Sequence, residues 1–453
     1  METVTAALAN YVAATKLADL PADVLHQAKR TYLNFIGCAV GGAHDDSVSS
    51  VVRALRPFSG PPSASVLGRA ERCDPLLASL LNGMSSAVYS FDDTHAEAVV
   101  HAGGPVASAM LAFSQTRKVS GADFLPAYVL GVEAVCRISK AISVPPAKGD
   151  LHWIQTGICA GMGAAVAVGK LMNLSVARLT WAIGIAAAQA GGIRGLSRSM
   201  CFSLMAGQAA QNGLKSAILA NEGFTSTADP LGAKQGFLES YAEIANAGAL
   251  SNGLGTTFEI LANTFKPYPC GVVIHPAIDA CLDVISDRVL DSSDVERVEV
   301  AINPTSAALA DLRHPQDSSE AQMSLQHWVA AAIHDRQAGV RQSRADKLRE
   351  TGIVVLRDKI LVRPEASLSR ESANLAIHLH GGVVLRGNVE NCRGSKLHPM
   401  TDREIEDKFR TQCADRLAAG ATDAIASAVW LLEHMPDCAR IAELATGKAD
   451  AVV

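Results

Sequence analysis

Aromatic residues make up only 5% of the 453 positions, and charged residues only 19%. With hydrophobic residues at 49% and 36 glycines, the apolar weight lies in small and aliphatic side chains, a composition suited to closely packed helices. A disordered chain, a collagen and a disulfide-rich scaffold are all excluded. The formal charge is only −5, from 40 basic and 45 acidic residues, and no basic tract stands out, which argues against nucleic acid as a partner. No apolar run is long enough to span a bilayer. The longest low-charge stretches, 157–169 and 181–193, are short and rich in small residues. No C-x-x-C pair occurs among the ten cysteines, so they are expected to be reduced and mostly buried. The first residues lack the basic and apolar regions of a signal peptide, so the expected location is the cytoplasm, with no membrane contact. The Gly-x-Ser-x-Gly and His-Glu-x-x-His patterns are missing too, which removes motif support for serine hydrolases and zincins.

At this length two or three domains are expected. Residues 1 to about 265 read as successive helices. One begins after Pro21 and runs to Gly41-Gly42, and another follows Ser120 and ends before Pro145-Pro146. An Ala/Gly helix covers 157–171, where Gly157 and Gly161 predict close helix approach, and further helices cover 175–190 and 205–222. After Lys266 the pattern changes. Residues 295–302, 353–362 and 375–380 alternate in the manner of strands, and Gly381-Gly382 signals a hairpin into 383–385. Helices near 276–286 and 321–335 interleave with them, and the chain is helical again from Thr401 to about Glu433. The expected fold is mainly α: a large all-helical domain of 1–265 and 401–453, interrupted by a smaller α+β lid domain at 266–400.

Four segments hold the candidate chemistry. Asp92, Asp93, Thr94, His95, Glu97 and His101 form the densest polar cluster. A carboxylate beside an imidazole orients the ring and raises its basicity, as a general base requires. The same residues also suit a helix cap and turn, and two His with two Asp could bind a metal, although no zinc-ligand spacing is present. His152 and Trp153 precede the Ala/Gly helix, whose N-terminus favours an anion such as a substrate carboxylate, a capping loop being the alternative. Lys266, Tyr268 and His275 lie on a proline-fixed segment at the domain junction, suited to a carboxylate-binding cleft or to a hinge. Gly191-Gly192 opens a turn with Arg194 and Arg198, where Arg194 could bind a carboxylate bidentately or form surface ion pairs. It lacks the Walker lysine and is no phosphate loop.

Taken in order, Phe91-Asp-Asp-Thr with His101, Gly131-Val-Glu-Ala-Val-Cys-Arg-Ile, Gly184-Ile-Ala-Ala-Ala-Gln-Ala-Gly, Gly207-Gln-Ala-Ala-Gln-Asn-Gly-Leu and Lys266-Pro-Tyr-Pro-Cys with His275-Pro-Ala-Ile-Asp-Ala resemble the MmgE/PrpD family. The resemblance covers nearly the whole chain. It implies a helical domain with an α+β lid, a homodimer, and a site between the domains. It also implies chemistry on a small di- or tricarboxylate with no cofactor and no metal. By position it implies site roles for Asp93, Thr94, His101, Lys266 and His275. From the residues themselves, His95, His152, Arg194, Tyr268 and His327 are added as candidate substrate contacts.

The departures from the family pattern fall on Ile154, Phe202, Ala206 and His327, where the family carries a histidine, a lysine, a histidine and a tyrosine. Losing one cation and two imidazoles points to a less charged substrate or a changed reaction. The reading that follows is a cofactor-independent lyase, a dehydratase or decarboxylase, working through α-proton and enolate chemistry. His101 held by Asp93 would carry the proton, Lys266 and Arg194 would bind carboxylates, and His275 would act as a second acid/base or carboxylate ligand. An epimerase and a non-catalytic binding homologue are the alternatives.

Overall fold

The computed structural model describes residues 2–149 and 152–448. The chain divides into two compact units. One comprises residues 1–88, 92–263 and 402–453, and the other 89–91 and 264–401. The fold is mainly α, with a smaller α+β part. Among the described residues no helix is long and apolar enough to cross a membrane.

The first unit is built around the Gln155–Leu171 helix, which packs against Gly103–Ser114, Gly121–Ser143, Val176–Ala187 and Cys201–Asn221. Every residue from Gln155 to Gly169 is buried, and its sequence of Ala, Gly, Val, Ile and Met explains how one helix accepts so many neighbours. Backbones meet where glycines coincide. A Cβ on Gly163 would overlap the Gly131 carbonyl oxygen and the Val135 side chain, and one on Gly213 would lie 2.6 Å from the Gly161 carbonyl oxygen. The expected Gly157/Gly161 approach is thus only part of the arrangement. Gly157 faces the backbone of Gly191, and Gly161 makes a looser contact with Ala209.

The long helices begin and end where the sequence indicates. Ser120 caps Gly121–Ser143 by accepting from Asp123 N–H, and Ala22–Gly42 starts directly after Pro21. The Asp402–Cys413 helix returns to pack on Ala22–Gly42 within this first unit. Two-residue strand pairs, 64–65 with 72–73 among them, interrupt an otherwise helical unit.

The second unit has a four-stranded sheet in the order Val384–Val389, Ala373–Leu379, Val295–Ile302, Ile360–Pro364. The last pair is parallel and the others antiparallel. Val298, Val300 and Ile302 point into the core with Ile278, Trp328, Ile360 and Ile377, and a register shift between Val295 and Arg297 keeps Val295 buried as well. Gly381 and Gly382 both take positive φ (94° and 86°), which is why the hairpin uses two glycines.

The expected strand at 353–362 is corrected. Residues Thr351–Asp358 are helical, and the strand is only Ile360–Pro364. Ile353, Leu356 and Arg357 are buried at i, i+3, i+4 spacing, a helical face that a run of branched residues disguised. A parallel pairing with Val295–Ile302 also requires a long crossover, which this helix helps to supply.

Gly163→Ala is expected to lower stability by about 1–3 kcal/mol through overpacking against backbone that cannot retreat. A fall in the urea midpoint of unfolding, with the m-value unchanged, checks this.

Candidate functional site

In the first unit the polar cluster forms a tight turn. His95 N–H donates to the Val100 carbonyl at 3.0 Å, and Val100 N–H returns a bond to the His95 carbonyl at 3.4 Å. His101 N–H then donates to Thr156 Oγ1 at 2.9 Å, which ties the turn to the start of the Gln155–Leu171 helix. Nδ1 of His101 lies 2.8 Å from the Asp93 carbonyl oxygen. A carbonyl oxygen can only accept, so Nδ1 carries the proton and, in the neutral ring, Nε2 holds the lone pair. Thr94 Oγ1 at 3.2 Å and Asp92 Oδ1 at 3.4 Å also face Nδ1. Among the described residues Nε2 has no hydrogen-bond partner, and the side chain is 21% exposed.

This geometry corrects the expectation that the Asp93 carboxylate holds His101. That carboxylate is fully buried, and its Oδ2 accepts from Gly103 N–H at 3.0 Å and from Asn263 Nδ2 at 2.8 Å. Burial, and then the neighbouring Asp92, push its pKa up. Its backbone carbonyl orients the imidazole instead, and the carboxylate nearest the ring is that of Asp92. Gly103 is dictated by the same arrangement, because a Cβ there would stand 2.5 Å from Asp93 Oδ1.

His95, expected to touch substrate, is fully buried. Its Nδ1 accepts from Ala98 N–H at 3.1 Å, and its Nε2 donates to Glu259 Oε2 at 3.0 Å. Both ring nitrogens are thus engaged by the protein. Arg194 is half-buried, and its guanidinium donates to the Trp153 carbonyl at 2.8 Å and to Gln155 Oε1 at 3.2 Å. Burial lowers its pKa. His152 is exposed, and its carbonyl accepts from Arg194 N–H at 2.7 Å. With Gly149, Trp153, Tyr241 and Glu243 it lines a cavity of about 580 Å³ whose lining does not include His101. Asp150 and Leu151 of this segment lie outside the described residues.

In the second unit Lys266 is buried, and its Nζ donates to the Ser90 carbonyl at 2.8 Å and to Ser90 Oγ at 3.0 Å. Ser90 itself takes a positive φ of 47°. Tyr268 donates its hydroxyl to Asp279 Oδ1 at 2.5 Å, while Asp279 Oδ2 accepts from Arg393 N–H at 2.6 Å. The Tyr268 ring stands edge-on to the His275 ring at 5.4 Å. Burial and then Asp279 raise the Tyr268 pKa far above that of a free phenol, so it stays protonated. Tyr268 and His275 are therefore adjacent.

His327 is elsewhere in this unit, fully buried and edge-on to Trp328, with Nε2 donating to the Gln342 carbonyl at 2.7 Å. Among the described residues Nδ1 has no partner, and burial lowers the ring's pKa to about 4. The expectation of a substrate-facing His327 is corrected: it is a neutral core residue of the Leu325–Asp335 helix.

Residues 6–248 match the MmgE/PrpD N-terminal domain, and residues 268–434 match the MmgE/PrpD C-terminal domain. The chain belongs to the MmgE/PrpD family. Among its relatives are a cis-aconitate decarboxylase-like protein of Aspergillus oryzae, 26% identical over 98% of each chain, and a cis-aconitate decarboxylase of Aspergillus terreus, 25% identical over 97% of this chain and 95% of that one. A cis-aconitate decarboxylase of Mus musculus is 24% identical over 99% of this chain and 94% of that one.

In this MmgE/PrpD chain several residues around the candidate site had no role of their own legible from sequence. Asp92 is adjacent to the residue chosen and carries no distinguishing signal. Thr156 sits in the Trp153-Ile-Gln-Thr motif, which drew attention for its missing histidine rather than for its hydroxyl. Asp279 stands four residues after His275, so both fall on one helical face. Asn263 and Glu259 reach the turn only through the tertiary fold.

The buried imidazole makes stability pH-dependent. An unfolded histidine titrates near 6.5 and His327 near 4, so the unfolded state takes the proton first. Stability falls as pH drops from about 6.5 towards 4, by roughly 3 kcal/mol at most. His327→Gln is expected to flatten this slope relative to wild type when urea midpoints are compared at pH 7, 5.5 and 4.5.

Proposed function

We propose that the chain is a cofactor-independent lyase that decarboxylates a small unsaturated di- or tricarboxylate of the cis-aconitate type, with His101 as the proton carrier. The observation that carries this reading is the proton position on His101. With Nδ1–H committed to the Asp93 carbonyl and Nε2 unpartnered, the ring offers a lone pair to a substrate proton and can return it. The relatives named as cis-aconitate decarboxylases support the substrate class, and the low identity sets its breadth.

Decarboxylation breaks a carbon–carboxylate bond. The electron pair passes into the adjoining unsaturated system, and a carbon atom takes up a proton as carbon dioxide leaves. His101, once it holds a proton at Nε2, supplies it there, and Asp92 lies 3.4 Å from Nδ1. Thr94 Oγ1 limits rotation of the ring. His275, with the Tyr268 ring edge-on to it, is kept in the proposal as a candidate carboxylate-binding group of the second unit. Arg194 and Lys266 are not retained, because the guanidinium is engaged by the start of the Gln155–Leu171 helix and the buried ammonium donates to Ser90.

Proton NMR of the purified protein with cis-aconitate in deuterium oxide tests the reading. A new vinylic methylene signal with loss of carbon dioxide is expected, together with a drop of about 10²–10⁴-fold in kcat for His101→Ala. Asp92→Asn is expected to reduce kcat more than it raises KM. Turnover undiminished in His101→Ala would remove the assignment, whereas deuterium uptake without a new product would point to an epimerase.

A further inference from the structure

The turn that carries His101 is held in a conformation it would not adopt alone. Val99 takes a positive φ of 54° although it is β-branched and 52% exposed, so packing of its own side chain does not account for the geometry. Such a residue persists only where its surroundings over-determine it. Here they do so through the backbone of Ala98 and the ring of His95. Ala98 N–H donates to His95 Nδ1 at 3.1 Å, and Ser139 Oγ donates to the Ala98 carbonyl at 2.7 Å. Accepting at Nδ1 leaves the His95 proton on Nε2, which donates to Glu259 Oε2. Lys140 Nζ lies 3.0 and 3.2 Å from the two Glu259 oxygens. Burial alone would raise the Glu259 pKa, but the bonds from His95 and Lys140 outweigh it and hold it at about 2, so the acceptor stays charged.

We propose that His95 is a positioning residue: anchored by the Glu259–Lys140 pair, its ring shapes the 95–100 turn so that Nδ1 of His101 meets the Asp93 carbonyl. The proposal rests on the reading of His101 as the proton carrier and extends it to a residue that touches no substrate. The chain of contacts is continuous. Lys140 and Glu259 fix the His95 ring, the ring fixes Ala98, the turn closes between His95 and Val100, and His101 follows directly with its own N–H on Thr156. A shift of the turn changes which nitrogen of His101 is protonated, because the Asp93 carbonyl at 2.8 Å is the nearest acceptor that demands a donor at Nδ1.

The test uses the full-length chain and a readout independent of turnover, the ¹⁵N shifts and long-range proton couplings of the His101 ring. Wild type is expected to show one tautomer, protonated at Nδ1. His95→Ala and Glu259→Ala are expected to show a mixture of tautomers and, with cis-aconitate as substrate, a loss of about 100-fold in kcat with little change in KM. His95→Asn, whose amide oxygen can accept from Ala98 N–H in place of Nδ1 but which is too short to keep the bond to Glu259, is expected to restore only part of both. Ser139→Ala, which removes only the bond to the Ala98 carbonyl, should move the same signals less, and it serves if the alanine variants at 95 and 259 do not fold. Folded variants with wild-type His101 signals overturn the proposal, whether or not turnover falls. Altered signals with undiminished turnover support it and instead remove His101 from the chemistry.

Discussion

The Gly121–Ser143 helix carries a row of charges at Glu133, Arg137 and Lys140, and the geometry of the His101 turn depends on what that row holds. Glu133 and Arg137 pair at 2.6 Å while almost fully buried, an arrangement that is costly unless every remaining donor and acceptor is used. They are used on one segment of chain. Arg137 donates to the carbonyls of Ala249, Asn252 and Thr257, and Glu133 accepts from Glu259 N–H. A segment with little regular structure is thereby fixed to a helix, and it delivers two side chains to the turn: Glu259 to His95, and Asn263 to Asp93. Apolar packing would bury the same segment, but it would not specify which carbonyl and which amide meet.

The two neighbouring aspartates are divided by this arrangement. Asp93 is withdrawn into the structure, with one oxygen spent on Gly103 N–H and Asn263 and with its pKa raised by burial. Asp92 faces the imidazole. The two side chains meet different groups, Asp93 the backbone of Gly103 and the Asn263 amide, and Asp92 the His101 ring. The same logic separates the histidines. His95 has both ring nitrogens engaged by protein, His327 is a neutral core residue, and His101 retains an unpartnered Nε2 among the described residues.

Much of the fold was legible because it rests on local rules. Ser120 capping, the helix after Pro21, the small-residue helix at 155–171 and the paired glycines of the hairpin follow from propensity and from backbone geometry at single positions. The failure at 353–362 has the same origin. Ile, Val and Leu in close succession satisfy both periods, and only the buried face at 353, 356 and 357 separates them. The candidate site was legible in its residue types and not in its contacts. His101 stands in a dense polar cluster, but its ring meets the backbone carbonyl of Asp93 rather than the expected carboxylate, since nothing in a sequence tells a side-chain acceptor from a backbone one.

By itself, the sequence determined the helical character, the change to an α+β pattern after Lys266, the family resemblance and the segments that hold the candidate polar clusters. These depend on periodicity, on caps and on ordered motifs, all of which are encoded within a few residues of one another. Tertiary structure alone decided which nitrogen of His101 carries the proton, that Asp92 rather than the Asp93 carboxylate faces the ring, and that His95 reaches Glu259 across 164 positions. The physical reason is that protonation and hydrogen bonding are settled by the nearest donor or acceptor in space. In a buried site that partner is brought in by packing, from a segment whose own sequence gives no sign of it.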